Sequence, residues 1–165
     1  SIPARGLIGF RNKLLTTTRG TGIMYHVFEG YAPYKGDIPG RTRGSLVAFE
    51  NGTTTAYGLN SVLERGELFI EPGTDVYEGM IIGENSREND MDVNPCKKKH
   101  LTNTRAAASD EAIRLPPCRK FTLEGALEWI NDDELVEVTP KSIRMRKAVI
   151  SRQERYKTAN KKKNK

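Results

Sequence analysis

The sequence has little of what staples, spans or catalyses. Only two cysteines, Cys96 and Cys118, occur in 165 residues. They cannot build a disulfide framework or, by themselves, a four-ligand zinc site. Both read as passive small hydrophobes. No apolar run nears the roughly 20 residues that a membrane-spanning helix needs. The N-terminus lacks the basic-then-apolar stretch of a secretory leader, so a cytoplasmic, reduced protein without membrane association is expected. The two histidines, His26 and His100, stand beside no nucleophile in a recognisable motif. No GxxxxGK[ST] occurs, and Gly20-Thr21-Gly22 is too short for a dinucleotide fingerprint. Asp90, Asp92 and Asn94 mimic the first ligands of a calcium loop. The match fails where Pro95 replaces the turn glycine and Leu101 the closing glutamate. Asp132, Asp133 and Glu134 read as a solvated turn. No catalytic residue, metal ligand or cofactor is assigned.

Charge is the strongest positive signal. The chain carries 27 Lys and Arg against 21 Asp and Glu, a net +6. Residues 141–165 hold eleven of the basic residues and one acid, Glu154, so that segment is +10 and the rest is −4. Such asymmetry points to a polyanion, usually nucleic acid. The bland alternative is a protein-interaction or structural domain whose basic tail confers solubility.

Pattern predicts an α+β fold, mostly antiparallel and barrel-like, with peripheral helices. Pro3 and the apolar spacing of Leu7, Ile8, Phe10, Leu14 and Leu15 predict a helix ended by Gly20 and Gly22. A β-prone strand over 23–31 follows. One helix and one strand cannot bury a sheet, so residues 1–32 read as the end of an α/β domain. A second domain is expected over 33–150. There, Asn51-Gly52 predicts a tight hairpin between strands 45–50 and 53–57. A short helix or turn should cover 59–64, and strands 68–70 and 80–82. Thr122 should cap a helix through Ile130, with Leu123, Ala126, Leu127 and Ile130 inward. Residues 135–138 should form a strand. Ile143 and Met145 alternate with Arg144 and Arg146, as in a half-buried strand with a cationic face. Ser151 and Glu154 fit a capping box, which starts a basic C-terminal helix and tail over 151–165.

Two segments concentrate binding chemistry. The long polar loop 94–110 carries Lys97, Lys98, Lys99, His100, Thr102, Asn103 and Arg105. Ammonium groups attract phosphates as point charges, and an arginine can fork onto one. Thr102 and Asn103 suit sugar hydroxyls and base edges. The second segment places Arg144, Arg146, Lys147, Arg152, Arg155 and Lys157 on a strand and a helix, with Tyr156 the only aromatic nearby. Sparse aromatics favour phosphate and shape recognition over single-stranded reading.

Long runs carry a resemblance. PARGLIGFRNKLLTTTRGTGIMYHVFEGY over residues 3–31, KKKHLTNTRAAASDEAI over 97–113 and LEWINDDELVEVTPKSIRMRK over 127–147 resemble the BipA (TypA) family of ribosome-associated translational GTPases. The resemblance implies that residues 1–32 close a ferredoxin-like, elongation-factor-G-like fifth domain. It implies that 33–150 form the family's own C-terminal domain. The GTPase domain, with its GTP and Mg, belongs to the full-length protein, so the fragment itself should be no enzyme. The implied partners are the ribosome's large-subunit rRNA and the acceptor end of A-site tRNA, reached by the loop 94–110. Stress adaptation and ribosome assembly are the implied roles, and a monomer is expected.

Overall fold

The computed structural model describes residues 1–36, 40–99 and 113–163. Within the first stretch, a 3-10 turn over Ala4–Leu7 precedes helix α1, Phe10–Thr17. The single helix expected there is broken at Gly9, whose φ of 75° lies in the left-handed region. A Cβ at this position would overlap the Glu128 carboxylate. The strand expected over 23–31 is absent. Ile23, Tyr25 and Val27 are 77%, 90% and 91% exposed, and no described segment pairs with them. A lone extended segment has nothing to receive its N–H and C=O groups, so its β-propensity is not realised.

Residues from 44 onward form an α+β unit, mostly antiparallel, as expected. Strand β1 (Ser45–Ala48) is followed by β2 (Gly52–Thr53), helix α2 (Ala56–Leu63), β3 (Gly66–Leu68), β4 (Asp75–Val76), β5 (Met80–Asn85) and β6 (Met91–Val93). Helix α3 (Leu123–Trp129), β7 (Glu134–Val138), β8 (Ile143–Lys147) and α4 (Arg152–Lys163) complete the described elements. The main sheet runs β6-β1-β5-β8-β7, with β3 also on β5, while β2 and β4 pair separately. Only β1 with β6 is parallel. Central β5 gives one edge to β1 and shares the other between β8, at Met80 and Ile81, and β3, at Gly83 to Asn85.

Both faces of that sheet are buried, so its inner strands read as apolar runs without alternation. Leu46, Ala48, Met80 and Ile82 pack with Leu59 and Val62 of α2. Val47 and Ile81 point the other way, toward Ala126, Trp129 and Met145. Phe69 and Phe121 meet the Trp129 ring at 5.0 and 5.9 Å.

The Asn51-Gly52 hairpin does not form. β1 pairs with β5 and β6, β2 pairs with β4, and neither Asn51 nor Gly52 has a positive φ. Asn51 Oδ1 instead accepts the Glu78 N–H at 2.8 Å. Helix α2 begins at Ala56, inside the expected second strand, because Thr55 caps it by accepting the Gly58 N–H at 2.8 Å. Helix α3 is capped by Thr122 as expected, through the Gly125 N–H at 3.2 Å. Its inward residues are Ala126 and Trp129, while Leu123 and Leu127 stay half exposed at 45% and 47%. The two strands β7 and β8 and the start of α4 at Arg152 match expectation, and β7 and β8 pair with each other as an antiparallel hairpin. The Arg152 N–H is taken by Glu78 Oε1 at 2.7 Å, from the β4–β5 turn. Among the described residues, no helix is long and apolar enough to cross a membrane.

Candidate nucleic-acid interface

The loop's departure point is tightly built. Asn94 accepts the Cys96 N–H at 2.9 Å and donates to Glu50 at 2.8 Å. Pro95 is buried, and its carbonyl accepts the Thr55 N–H at 3.0 Å. The Thr55 hydroxyl, already capping α2, donates to the Lys97 carbonyl at 2.6 Å. A Cβ on Gly58 would lie 2.2 Å from the Pro95 oxygen, so glycine lets α2 lie against this strand end. Beyond the tether, Lys97, Lys98 and Lys99 are exposed. The return side is held too: the Arg119 N–H donates to Leu68 at 2.9 Å, and Leu115 packs on the first core. His100, Thr102, Asn103 and Arg105 lie outside the described residues.

The expected cationic face of β8 is largely neutralised. Arg146 Nε donates to Glu137 at 2.6 Å, and Arg144 sits opposite Glu137 in the β7–β8 register. The Tyr77 hydroxyl, together with Arg146, holds the Glu137 carboxyl below the usual carboxylate range. Lys147 has to be removed from the set of RNA contacts. It is 2% exposed, with its Nζ at 2.5 Å from Asp90, 2.8 Å from Glu134 and 2.9 Å from Asp133. It ends β8 on the same inward side as Ile143 and Met145. In α4, Arg155 pairs with Asp92 at 2.5 Å. Arg152 lies 3.4 Å from Asp92 and stacks over the Phe49 ring. Lys157 is exposed.

Sequence reasoning missed the hub beneath these residues. Polarity predicts Glu134 in a solvated turn, yet its side chain is 0% exposed. Arg41 grips it through two bonds of 2.7 and 2.6 Å. Burial alone would raise the Glu134 pKa; hydrogen bonds from Arg41 and Lys147 outweigh it and hold the carboxyl below the usual range. For Asp90 too, burial is outweighed, here by Lys147 and the Ser45 N–H. The three residues that mimicked calcium ligands are thus used otherwise: Asp90 on Lys147 and Ser45, Asp92 on the arginines of α4, Asn94 in the loop root. The available signal was the parity of β8, which puts Lys147 on the side of Ile143 and Met145; no local pattern distinguishes the acids that meet it from surface charge.

Cys96 and Cys118 are free thiols. Burial, then the charges of Glu50 and Glu71 respectively, pushes both thiols up, away from the reactive thiolate. Among the described residues, no group of three or more His, Cys, Asp or Glu is disposed to hold a metal.

A family model described as the TypA/BipA C-terminal domain matches residues 43–152. The chain belongs to the TypA/BipA family. A second model, the elongation factor G C-terminus, matches residues 1–42, and that domain is ferredoxin-like. The large ribosomal subunit assembly factor BipA of Bacillus subtilis (strain 168) is 48% identical over 164 residues, 99% of this chain and 27% of that protein. The protein of the same name from Synechocystis sp. is 53% identical over 146 residues, 88% of this chain and 24% of its own. That from Buchnera aphidicola is 50% identical over 157 residues, covering 94% and 26%. The chain therefore spans about a quarter of the length of these relatives. Both matched models are described as C-terminal regions of their families.

Proposed function

We propose that this chain is the ribosome-binding C-terminal part of a TypA/BipA translational GTPase that acts in large-subunit assembly and stress adaptation. In this reading, residues 1–32 close the fifth domain, 33–150 form the family's own domain, and 151–165 are a basic helix and tail. The loop 94–110 contacts rRNA and the acceptor end of A-site tRNA. GTP and Mg bind to the full-length protein, which works in the cytoplasm as a monomer. Relatives named as large-subunit assembly factors support ribosome association. The observation that carries the reading is the loop root: three lysines leave a strand end held by Asn94, Pro95 and Thr55. A fixed root directs a cationic loop toward one place on a large polyanion, lowering the entropy cost of contact.

The alternative, a structural domain with a solubilising tail, draws on one observation. Among the described residues of 141–165, Arg146, Lys147, Arg152 and Arg155 already pair with carboxylates of the same chain. Co-sedimentation with ribosomes over a salt series separates the two. RNA binding should weaken steeply, with a slope of log K on log salt of about −0.7 to −0.9 per phosphate neutralised. A salt-independent or absent association would overturn the proposal.

A further inference from the structure

Arg41 lies between residue 32, where the fifth domain is proposed to close, and residue 43, where the match to the TypA/BipA C-terminal domain begins. It would ordinarily be a mobile linker cation. Here every nitrogen of its guanidinium is used. Nε donates to the Arg43 carbonyl at 2.8 Å, Nη1 to the Trp129 carbonyl at 3.0 Å and to Glu134, and Nη2 to Glu134. The plane stacks on the Trp129 ring, 3.5 Å from its centroid. The Arg41 side chain is 9% exposed and that of Glu134 is 0% exposed. Through Glu134 the grip continues to Lys147, and from there to Asp90 and Ser45 at the start of β1. The first unit touches the same region: the Gly9 N–H donates to Glu124 of α3 at 3.2 Å.

We infer that Arg41 and Glu134 are positioning residues, a clamp that sets the orientation of the family-specific domain relative to the elongation-factor-G-like unit before it. A planar fork with five donors and a stacking face does this; an ammonium cannot. The inference rests on the proposed ribosome binding for its functional consequence. Two units that contact one ribosome gain from a fixed mutual geometry, because the second contact forms at a high effective concentration. Arg41 itself is too enclosed to reach a phosphate. Its loss should therefore lower affinity without changing the number of counterions released.

The test uses the full-length protein with three variants: Arg41→Ala, Arg41→Lys and the double Arg41→Met/Glu134→Gln, which leaves no buried carboxylate unpaired. All three should bind ribosomes about tenfold more weakly or worse, since linked geometry contributes factors of that size and above. The slope of log K on log salt should stay at the wild-type value. Spin labels at Lys13→Cys and Lys141→Cys, in a Cys96→Ser/Cys118→Ser background, report orientation independently of the ribosome. The distance distribution should be narrow in the wild type and broad in each variant. If Arg41→Lys retains wild-type affinity while Arg41→Ala loses slope, Arg41 is a phosphate contact and the clamp is overturned. An equally narrow distribution in all variants also overturns it. If the wild-type protein fails to sediment with ribosomes, the functional proposal falls, while the label distances still decide the clamp.

Discussion

Lys147 is the residue whose role depends most on being seen in three dimensions. Its ammonium sits among Asp90, Asp133 and Glu134, all within 2.9 Å. Removing one partner of a buried ion pair leaves the others uncompensated, at about 3–5 kcal/mol. Asp90 and Asp133 remain 43% and 66% exposed, and water screens them, so the lower end applies here. Lys147→Met should lower the melting temperature by roughly 6–12 °C in a protein of this size. It should leave the salt slope of ribosome binding unchanged; a slope reduced by the equivalent of one phosphate would restore Lys147 to the interface. The same cluster sets the pH range of stability. The carboxyls of Glu134 and Asp90 are held below their ordinary 4.5 and 3.8, so their contribution is present above those values and lost as pH falls through the lowered ones. Against the cost of burial, Asp90 and Glu134 raise the Lys147 pKa above its ordinary 10.5. Its contribution is present below that value and lost as pH rises past it. Thermal melts should show a plateau from about pH 5 to 10. Lys147→Met should remove the alkaline loss and flatten part of the acid one.

Helix α2 couples the core to the loop through one hydroxyl. Thr55 Oγ1 accepts the Gly58 N–H and donates to the Lys97 carbonyl. Thr55→Val keeps the shape and removes both bonds. Loss of the cap should cost about 1 kcal/mol, and hydrogen exchange should speed up at Gly58 and at Lys97 to Lys99. Unchanged exchange at the lysines would show that Thr55 does not hold the loop root. Which elements were legible follows the same logic of local against distant partners. Helix α3, strand β7 and the start of α4 carry their signals within a few residues, and they form where expected. The Asn51-Gly52 turn also carries a local signal, but β1 finds better partners in β5 and β6, which bury Leu46, Val47 and Ala48 on both faces. Burying such side chains is worth about 1.5–3 kcal/mol each, more than a turn preference supplies. Segment 23–31 had the propensity and lacked a neighbour. Strands β4 and β6, of two and three residues, were too short to show any period. In the candidate site, the exposure of Lys97 to Lys99 and Lys157 was legible from polarity. The internal pairing of Arg146, Lys147 and Arg155 was not, because Glu137, Asp90 and Asp92 reach them from β7, from the turn before β6 and from β6.

The whole chain now offers two cationic regions of different kinds, and they should respond differently to removal. The first turn of α4 is docked by Asp92 and Glu78, so deleting residues 160–165 should leave the helix start and the core intact. That deletion removes Lys161, Lys162, Lys163 and Lys165, the residues that supply general attraction to RNA in the proposed reading. Ribosome affinity should fall at moderate salt, with the slope reduced by about 0.7–0.9 for each phosphate no longer neutralised. Complementation of a strain lacking the protein, under stress, should be partly retained. Lys97→Ala, Lys98→Ala and Lys99→Ala together remove a comparable charge, three where the tail loses four. These three leave a root fixed by Asn94, Pro95 and Thr55, so their direction is set by the fold. Under the proposed reading, a loop that leaves a fixed root contributes to what the bound protein does beyond how tightly it binds. The triple variant should therefore impair complementation more than its drop in bulk affinity implies. Full complementation by the triple variant, beside none by the tail deletion, would move the functional element from the loop to the tail.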